Sequence, residues 1–280
     1  MQSLSHAKRL RQLVTPAWLL AHGGSCQLFE VGCHGAASFE SGHVPGAGYI
    51  DTCELEGGPY WNKVSDAAWL GVLLANGIRH DSTVVLYGRN LLAAARAAHL
   101  MLYAGVRDVR ILDGGLAAWR RAGYPLSRGK ARLRLAARDF GCAYPARPDY
   151  LTRFEQIAQL QGAVLASVRT WGEHSGAVSG YSYIDACGDI PGARWARAGD
   201  EGDVNSMSAY LDADGRLLDD SVIAAMWQEQ GIAPDRQLVF YCGTGWRASF
   251  AFFCAWLMGW ERISVYDGGW AEWSRRQAEA

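Results

Sequence analysis

The chain has 280 residues, half of them hydrophobic, and a formal net charge of -1 at pH 7. That length suits two ordinary domains with sizeable cores, and the near-zero charge speaks against nucleic-acid binding driven by general basicity. No apolar run approaches a membrane span, and the opening MQSLSHAKRLRQLVTP lacks the apolar core of a secretory signal. A cytoplasmic protein is therefore expected, with neither nucleic acid nor membrane as a partner. Seven scattered cysteines, an odd number without any C-x-x-C pair, do not read as a disulfide framework or a zinc site. Most are expected to be small buried hydrophobes.

Taken in chain order, the first apolar strand is QLFEV (27–31), followed by the segment HVPGAGYID (43–51) and an irregular stretch over 51–66. TVVLY (83–87) is a clear strand. The Ala-rich stretch after it is long enough for a helix. VRIL (109–112) follows as a strand and is closed by Asp-Gly-Gly and a Trp-bearing helix, with Asp113 expected as its cap. Residues 127–148 are rich in proline and charge and read as a linker, with a strand-like stretch in ARLRLA (131–136). The order then repeats: AVLASV (163–168), DIPGARWAR (189–197), QLVFY (237–241), an aromatic-rich helix, ISVY (263–266) and a second Asp-Gly-Gly with Asp267 as the expected cap.

Residues 84–121 align with 238–275 without a gap, and Tyr87, Gly105, Asp113, Gly114, Gly115 and Trp119 meet Tyr241, Gly259, Asp267, Gly268, Gly269 and Trp273. A repeat this long indicates two related domains rather than a solenoid. Alternating strands and helices imply α/β units, each a mainly parallel sheet with helices on both faces. The expected organisation is a first domain over 1–126, the linker over 127–148 and a second domain over 149–280.

The two copies differ most where QLVFY runs into Cys242 and TVVLY runs into Gly88. Ligands bind at the carboxyl ends of strands in open parallel sheets, and Cys242 sits at such an end, just before a helix. Gly243, Thr244 and Gly245 allow the backbone to turn its N–H groups inward as an anion nest. The following helix adds the positive end of its dipole, and both effects stabilise a thiolate. Arg247, five positions after the cysteine, either charges the rim of the loop or braces it. The alternative for Cys242 is a buried strand-end thiol beside a plain turn; Cys254, inside the apolar helix, is assigned to that role.

The stretches YCGTGWRAS, DIPGA and VYDGGWAEW, with their echoes SGHVPGA and ILDGGLAAW, resemble the rhodanese family of sulfurtransferases across nearly the whole chain. The resemblance is to tandem-domain members, the thiosulfate and 3-mercaptopyruvate sulfurtransferases, which implies two tandem rhodanese-like domains. Gly88, with Leu91 and Ala93 in place of Gly245 and Arg247, fits a first domain that has lost its chemistry, and the second domain carries the active site. The implied mechanism moves a sulfane sulfur from a small donor through a Cys242 persulfide to a thiophilic acceptor such as cyanide or a thiol, with ping-pong kinetics. The amides of residues 243–247 cradle the sulfur, and no metal or organic cofactor is expected. Related phosphatases hold their arginine six positions after the cysteine, so the spacing of five here favours sulfur over phosphorus.

The loop is of mixed type. Cys-Gly-Thr-Gly is nearer the mercaptopyruvate form, with Thr244 at the hydroxyl position, whereas Arg247 departs from it, so both donors remain open. Trp246 either walls the pocket or packs on the neighbouring domain. Arg169 falls where the family carries a substrate-anion arginine, although Ser167 stands where the family has Asp. Arg194 and Arg197 follow the Pro-Gly-Ala motif without an assigned role, and the resemblance places Tyr60 and Trp61 along the active cleft. His43 and His174 read as local hydrogen-bonding residues. The alternative function is a sulfur-relay or protein-binding module that takes persulfide sulfur from a partner protein and hands it to a protein acceptor.

Overall fold

The structure, a computed structural model, describes residues 2–131 and 134–279. The chain divides into two compact units, Met1–Gly57 with Lys63–Pro148, and Gly58–Asn62 with Asp149–Ala280. In the first unit, β1 (Leu13–Val14), β2 (Gln27–Gly32), β3 (Gly48–Asp51), β4 (Thr83–Tyr87) and β5 (Asp108–Leu112) form a parallel sheet in the order β1-β5-β4-β2-β3. In the second, β6 (Leu151–Thr152), β7 (Val164–Ser167), β8 (Arg194–Trp195), β9 (Leu238–Tyr241) and β10 (Ile263–Tyr266) are parallel in the order β6-β10-β9-β7-β8. The two orders are the same, strand for strand, as the repeat in the sequence requires.

The six apolar runs read as strands are the central strands of the two sheets. Every residue of β9 and β10 is buried, because parallel strands are covered by crossover helices on both faces. Those helices follow the strands directly. Leu91–Ala104 is buried from Leu92 onward and stops at Gly105, whose φ of 111° suits glycine. Trp246–Leu257 is buried from Arg247 onward. The four other strands of these two sheets are edge elements of two to four residues, too short to carry a periodic signal. Among the described residues no helix is long and apolar enough to cross a membrane.

The described residues of 127–148 are part of the first unit. Ser127 bridges to His43, the Ala137 N–H donates to the Leu74 carbonyl, and the Arg147 N–H donates to the Tyr103 carbonyl. The strand-like stretch expected over 131–136 includes Arg132 and Leu133, which lie outside the described residues; Ala131 and residues 134–136 are irregular. Two other expectations are corrected. The cap positions of the Trp-bearing helices fall on Gly114 and Gly268, one residue past the aspartates. Cys33, Cys53, Cys142 and Cys187 are exposed rather than buried, because each lies in a loop or short turn; Cys254 is buried as expected.

The second glycine of each Asp-Gly-Gly has a specific reason to be glycine. Gly115 and Gly269 have φ of 57° and 53°. A Cβ on Gly115 would lie 2.6 Å from the Gly88 carbonyl oxygen, and one on Gly269 would lie 2.5 Å from that of Cys242. The next backbone N–H, of Leu116 or Trp270, donates to that same oxygen. The motif is thus the seat of the strand-end loop in both units. Gly269→Ala should push the Cys242 loop out of place and destabilise the protein by about 1–3 kcal/mol. Urea unfolding and the reactivity of Cys242 towards iodoacetamide would check both effects.

Candidate active site

Strand β9 ends at Tyr241, so Cys242 is delivered to the carboxyl end of the sheet with its side chain 1% exposed. The chain then turns through Gly243 and Thr244 into Gly245, whose φ of 133° and ψ of -20° favour glycine. This turn aims the Gly245 N–H at Cys242 Sγ, 3.1 Å away. The Cys242 and Gly243 carbonyls point the other way and accept the N–H groups of Trp270 and Ala271 at 2.8 and 3.0 Å. A sulfur that faces a backbone donor at the start of a twelve-residue helix is in an environment suited to an anion.

Arg247 is buried, 1% exposed, so it braces the loop rather than charging its rim. Its two terminal nitrogens donate to the two Glu173 carboxylate oxygens at 2.9 and 2.8 Å, and Nη2 also donates to the Tyr181 hydroxyl at 2.6 Å. Such a fork-to-fork pair fixes direction as well as charge. Burial by itself would raise the Glu173 carboxyl, but the Arg247 hydrogen bonds and charge, the Thr170 N–H and the Arg169 charge outweigh it and hold the group below its ordinary value. Glu173 reaches this position as the third residue of a short helix capped by Thr170, with reciprocal side-chain and backbone bonds between the two.

Tyr181 lies across the start of the loop. A Cβ on Gly243 would come within 2.2 Å of its ring, so glycine at 243 is needed for this contact. Beyond it the ring of Tyr183 lies 5.3 Å away, and that of Trp61 a further 4.6 Å from Tyr183. Trp61 and Tyr183 are exposed, and Trp61 has an unusual φ of 54° for a bulky residue. Thr244 is buried at the loop, and Trp246, the first residue of the helix, is partly exposed.

Arg169 is wholly buried behind the loop. Its Nη1 donates to the Gly188 carbonyl at 2.6 Å, and its guanidinium lies 3.6 Å from Glu173, 3.4 Å from Asp189 and over the Trp270 ring. Among the described residues its Nε, the atom facing Glu173, and its Nη2 have no hydrogen-bond partner. Asp189 gathers the Ser167 hydroxyl at 2.7 Å, the Tyr241 hydroxyl, the Ile190 N–H and His174 Nδ1 at 2.5 Å. The carboxylate missing at Ser167 is therefore supplied by the Asp of DIPGA. Burial acts to raise Asp189, and His174, Arg169, Tyr241 and Ser167 together hold it below its ordinary value.

The first unit solves the same corner differently. Glu30 pairs in register with Tyr87 as Ser167 does with Tyr241. Arg89, directly after Gly88, pairs with Glu30 at 3.0 Å and ties the Ser38 and Gly42 carbonyls. The brace thus sits at the second loop position in the first unit and at the sixth in the second. The sequence singles out Cys242, the loop residues and Arg169, and the structure adds Glu173, Tyr181 and Asp189 around them. Of these, only Glu173 carried a readable signal, the Thr-x-x-Glu pattern over 170–173.

A family model described as the Rhodanese-like domain matches residues 15–122 and 151–276. The thiosulfate sulfurtransferase YnjE of Escherichia coli is 47% identical over 98% of this chain, which spans only 65% of that protein; its crystal structure superposes with a TM-score of 0.89 over 94% of this chain and 66% of YnjE. A Pseudomonas aeruginosa protein named "Probable 3-mercaptopyruvate sulfurtransferase" is 33% identical over 94% of both chains. The anaerobic ergothioneine biosynthesis enzyme of Chlorobium limicola, solved with its natural substrate trimethyl histidine, is 36% identical, with a TM-score of 0.87 over 95% of this chain and 68% of its own. With the family model matched twice, one copy on each sheet, the chain belongs to the rhodanese family as a tandem-domain member.

Proposed function

We propose that the chain is a sulfurtransferase whose second unit is catalytic and whose first is not. The Cys242 thiolate attacks the sulfane sulfur of thiosulfate or the thiol sulfur of 3-mercaptopyruvate; in the second case the C–S bond breaks, its electron pair goes to carbon, and the enolate takes up a proton and leaves as pyruvate. With thiosulfate, an Sγ–S bond forms and sulfite leaves with the electron pair of the broken S–S bond. A thiophilic acceptor, cyanide or a thiol, then takes the terminal sulfur and returns the electron pair to Sγ. The observation that carries this reading is the Gly245 N–H facing Cys242 Sγ, in a loop whose counterpart begins with Gly88. Buried donors without partners are uncommon, so Arg169 Nη2, which has no hydrogen-bond partner among the described residues, supports a part for Arg169 in receiving the donor's negative charge. Residues 243–247 cradle the sulfur. The seven free cysteines suit a reducing, cytoplasmic setting.

Mass spectrometry tests the reading. After treatment with each donor in turn, the Cys242 peptide should carry one added sulfur atom, which cyanide then removes. Sulfur on another cysteine, or none with either donor, would overturn the reading. The faster donor in steady state is the natural class.

A second reading of the acceptor is favoured by the rings of Tyr181, Tyr183 and Trp61 in series from the loop outward. Such a wall suits a nitrogen-ring acceptor such as trimethyl histidine better than it suits cyanide. Discharge of the loaded protein by trimethyl histidine, by a thiol and by cyanide, compared at equal concentration, separates the two readings. Failure of all three with rapid discharge by a sulfur-accepting protein would point to a relay.

A further inference from the structure

Tyr181 holds a proton without an acceptor beside the sulfur cradle. Its hydroxyl oxygen accepts from Arg247 Nη2 at 2.6 Å, and among the described residues its own O–H donates to nothing. Its ring is packed on Gly243, the first residue after the cysteine. Cys242 Sγ accepts from Gly245 N–H at 3.1 Å, and no hydrogen bond joins it to Tyr181 among the described residues. A persulfide extends the side chain by one sulfur, about 2 Å further from the backbone. Burial first, and then the nearby Cys242 and Glu173 charges, push the Tyr181 phenol up against the opposing pull of Arg247. It therefore stays protonated and remains a donor at neutral pH.

We propose that Tyr181 is a catalytic residue that touches the transferred atom: its O–H donates a hydrogen bond to the terminal sulfur of the Cys242 persulfide. The proposal rests on the persulfide chemistry proposed for Cys242. No proton is transferred. The terminal sulfur carries one negative charge after sulfite leaves, and the phenol stabilises that charge until the acceptor removes the sulfur. Arg247 polarises the phenol from the other side, so the brace of the loop also sharpens the donor.

Tyr181→Phe keeps the ring on Gly243 and leaves Glu173 on Arg247. Single-turnover loading with thiosulfate, quenched at intervals and read by mass spectrometry, should slow roughly tenfold. Alkylation of sulfur-free Cys242 by iodoacetamide should keep its wild-type rate, because the thiol itself makes no bond to Tyr181. A merely structural tyrosine would change both rates together, and that result overturns the proposal. Equal loading of variant and wild type overturns it as well, while leaving the persulfide chemistry standing. A wild-type protein that takes no sulfur on Cys242 sinks the persulfide reading and this role with it.

Discussion

Replacing Glu173 by glutamine should destabilise the protein by about 3 kcal/mol at neutral pH and abolish most sulfur transfer. The pair it breaks is fully buried: Arg247 and Glu173 side chains are each 1% exposed. Removing one partner leaves the other charge in a poorly solvated interior, which costs more than the pair itself contributes. Glutamine fits badly for a second reason. One Glu173 oxygen accepts from Thr170 N and Arg247 Nη1, the other from Arg247 Nη2. Whichever way the amide is turned, its NH2 faces a donor. Arg247 then loses its direction, and with it the turn that presents Gly245 N–H to Cys242.

The effect depends on pH with a definite sign. Glu173 is held below its ordinary value in the folded protein. Its contribution is therefore complete above the carboxylate range of the unfolded chain and fades as pH falls through the lowered folded value. The stability gap between wild type and Glu173→Gln should be widest at neutral pH and close on acidification. Urea titrations across the acid range measure it directly, and a gap that stays constant with pH would show that the charge on Glu173 is not what holds the loop.

The balance between what sequence could and could not reveal follows from where each residue's partner lies. The six inner strands were legible because burial on both faces turns them into continuous apolar runs. Cys242, Gly245 and Arg247 were legible because they sit on one short turn, where spacing alone determines geometry. The direction of Arg247 was not, since its partner Glu173 belongs to a different part of the second half and meets it only through the fold. Asp189 was hidden for a similar reason. The family position on the strand, Ser167, is occupied by a hydroxyl, and the carboxylate arrives from the DIPGA segment across the end of the sheet. Tyr181 lies in an irregular segment without periodicity, so nothing marked it. The exposed cysteines defied the general tendency of thiols to be buried because that tendency averages over strands and helices, whereas these four occupy loops and short turns.

Cys242→Ser should lower sulfur transfer by roughly a thousandfold or more, since an alcohol is a far weaker nucleophile towards sulfur than a thiolate. The more demanding form of this prediction adds a thiol to the other unit. In Cys242→Ser combined with Gly88→Cys, activity should stay at background, although the new cysteine ends the equivalent strand. A Cβ at Gly88 would lie 2.3 Å from the Asn90 carbonyl oxygen and 3.1 Å from that of Val31. Both neighbours are backbone, so the loop must shift, at a cost of about 1–3 kcal/mol. The turn also lacks the glycine that aims an N–H at the sulfur, with Leu91 in its place, and it is tied down by Arg89 two residues beyond the strand end. Thiocyanate formation and mass spectrometry of the peptide spanning position 88 would decide the matter. Transfer restored by the double variant would mean that the thiol alone makes the site. Continued silence would mean that the loop's shape and its buried brace have diverged as far as its nucleophile, so that the first unit cannot be revived one residue at a time.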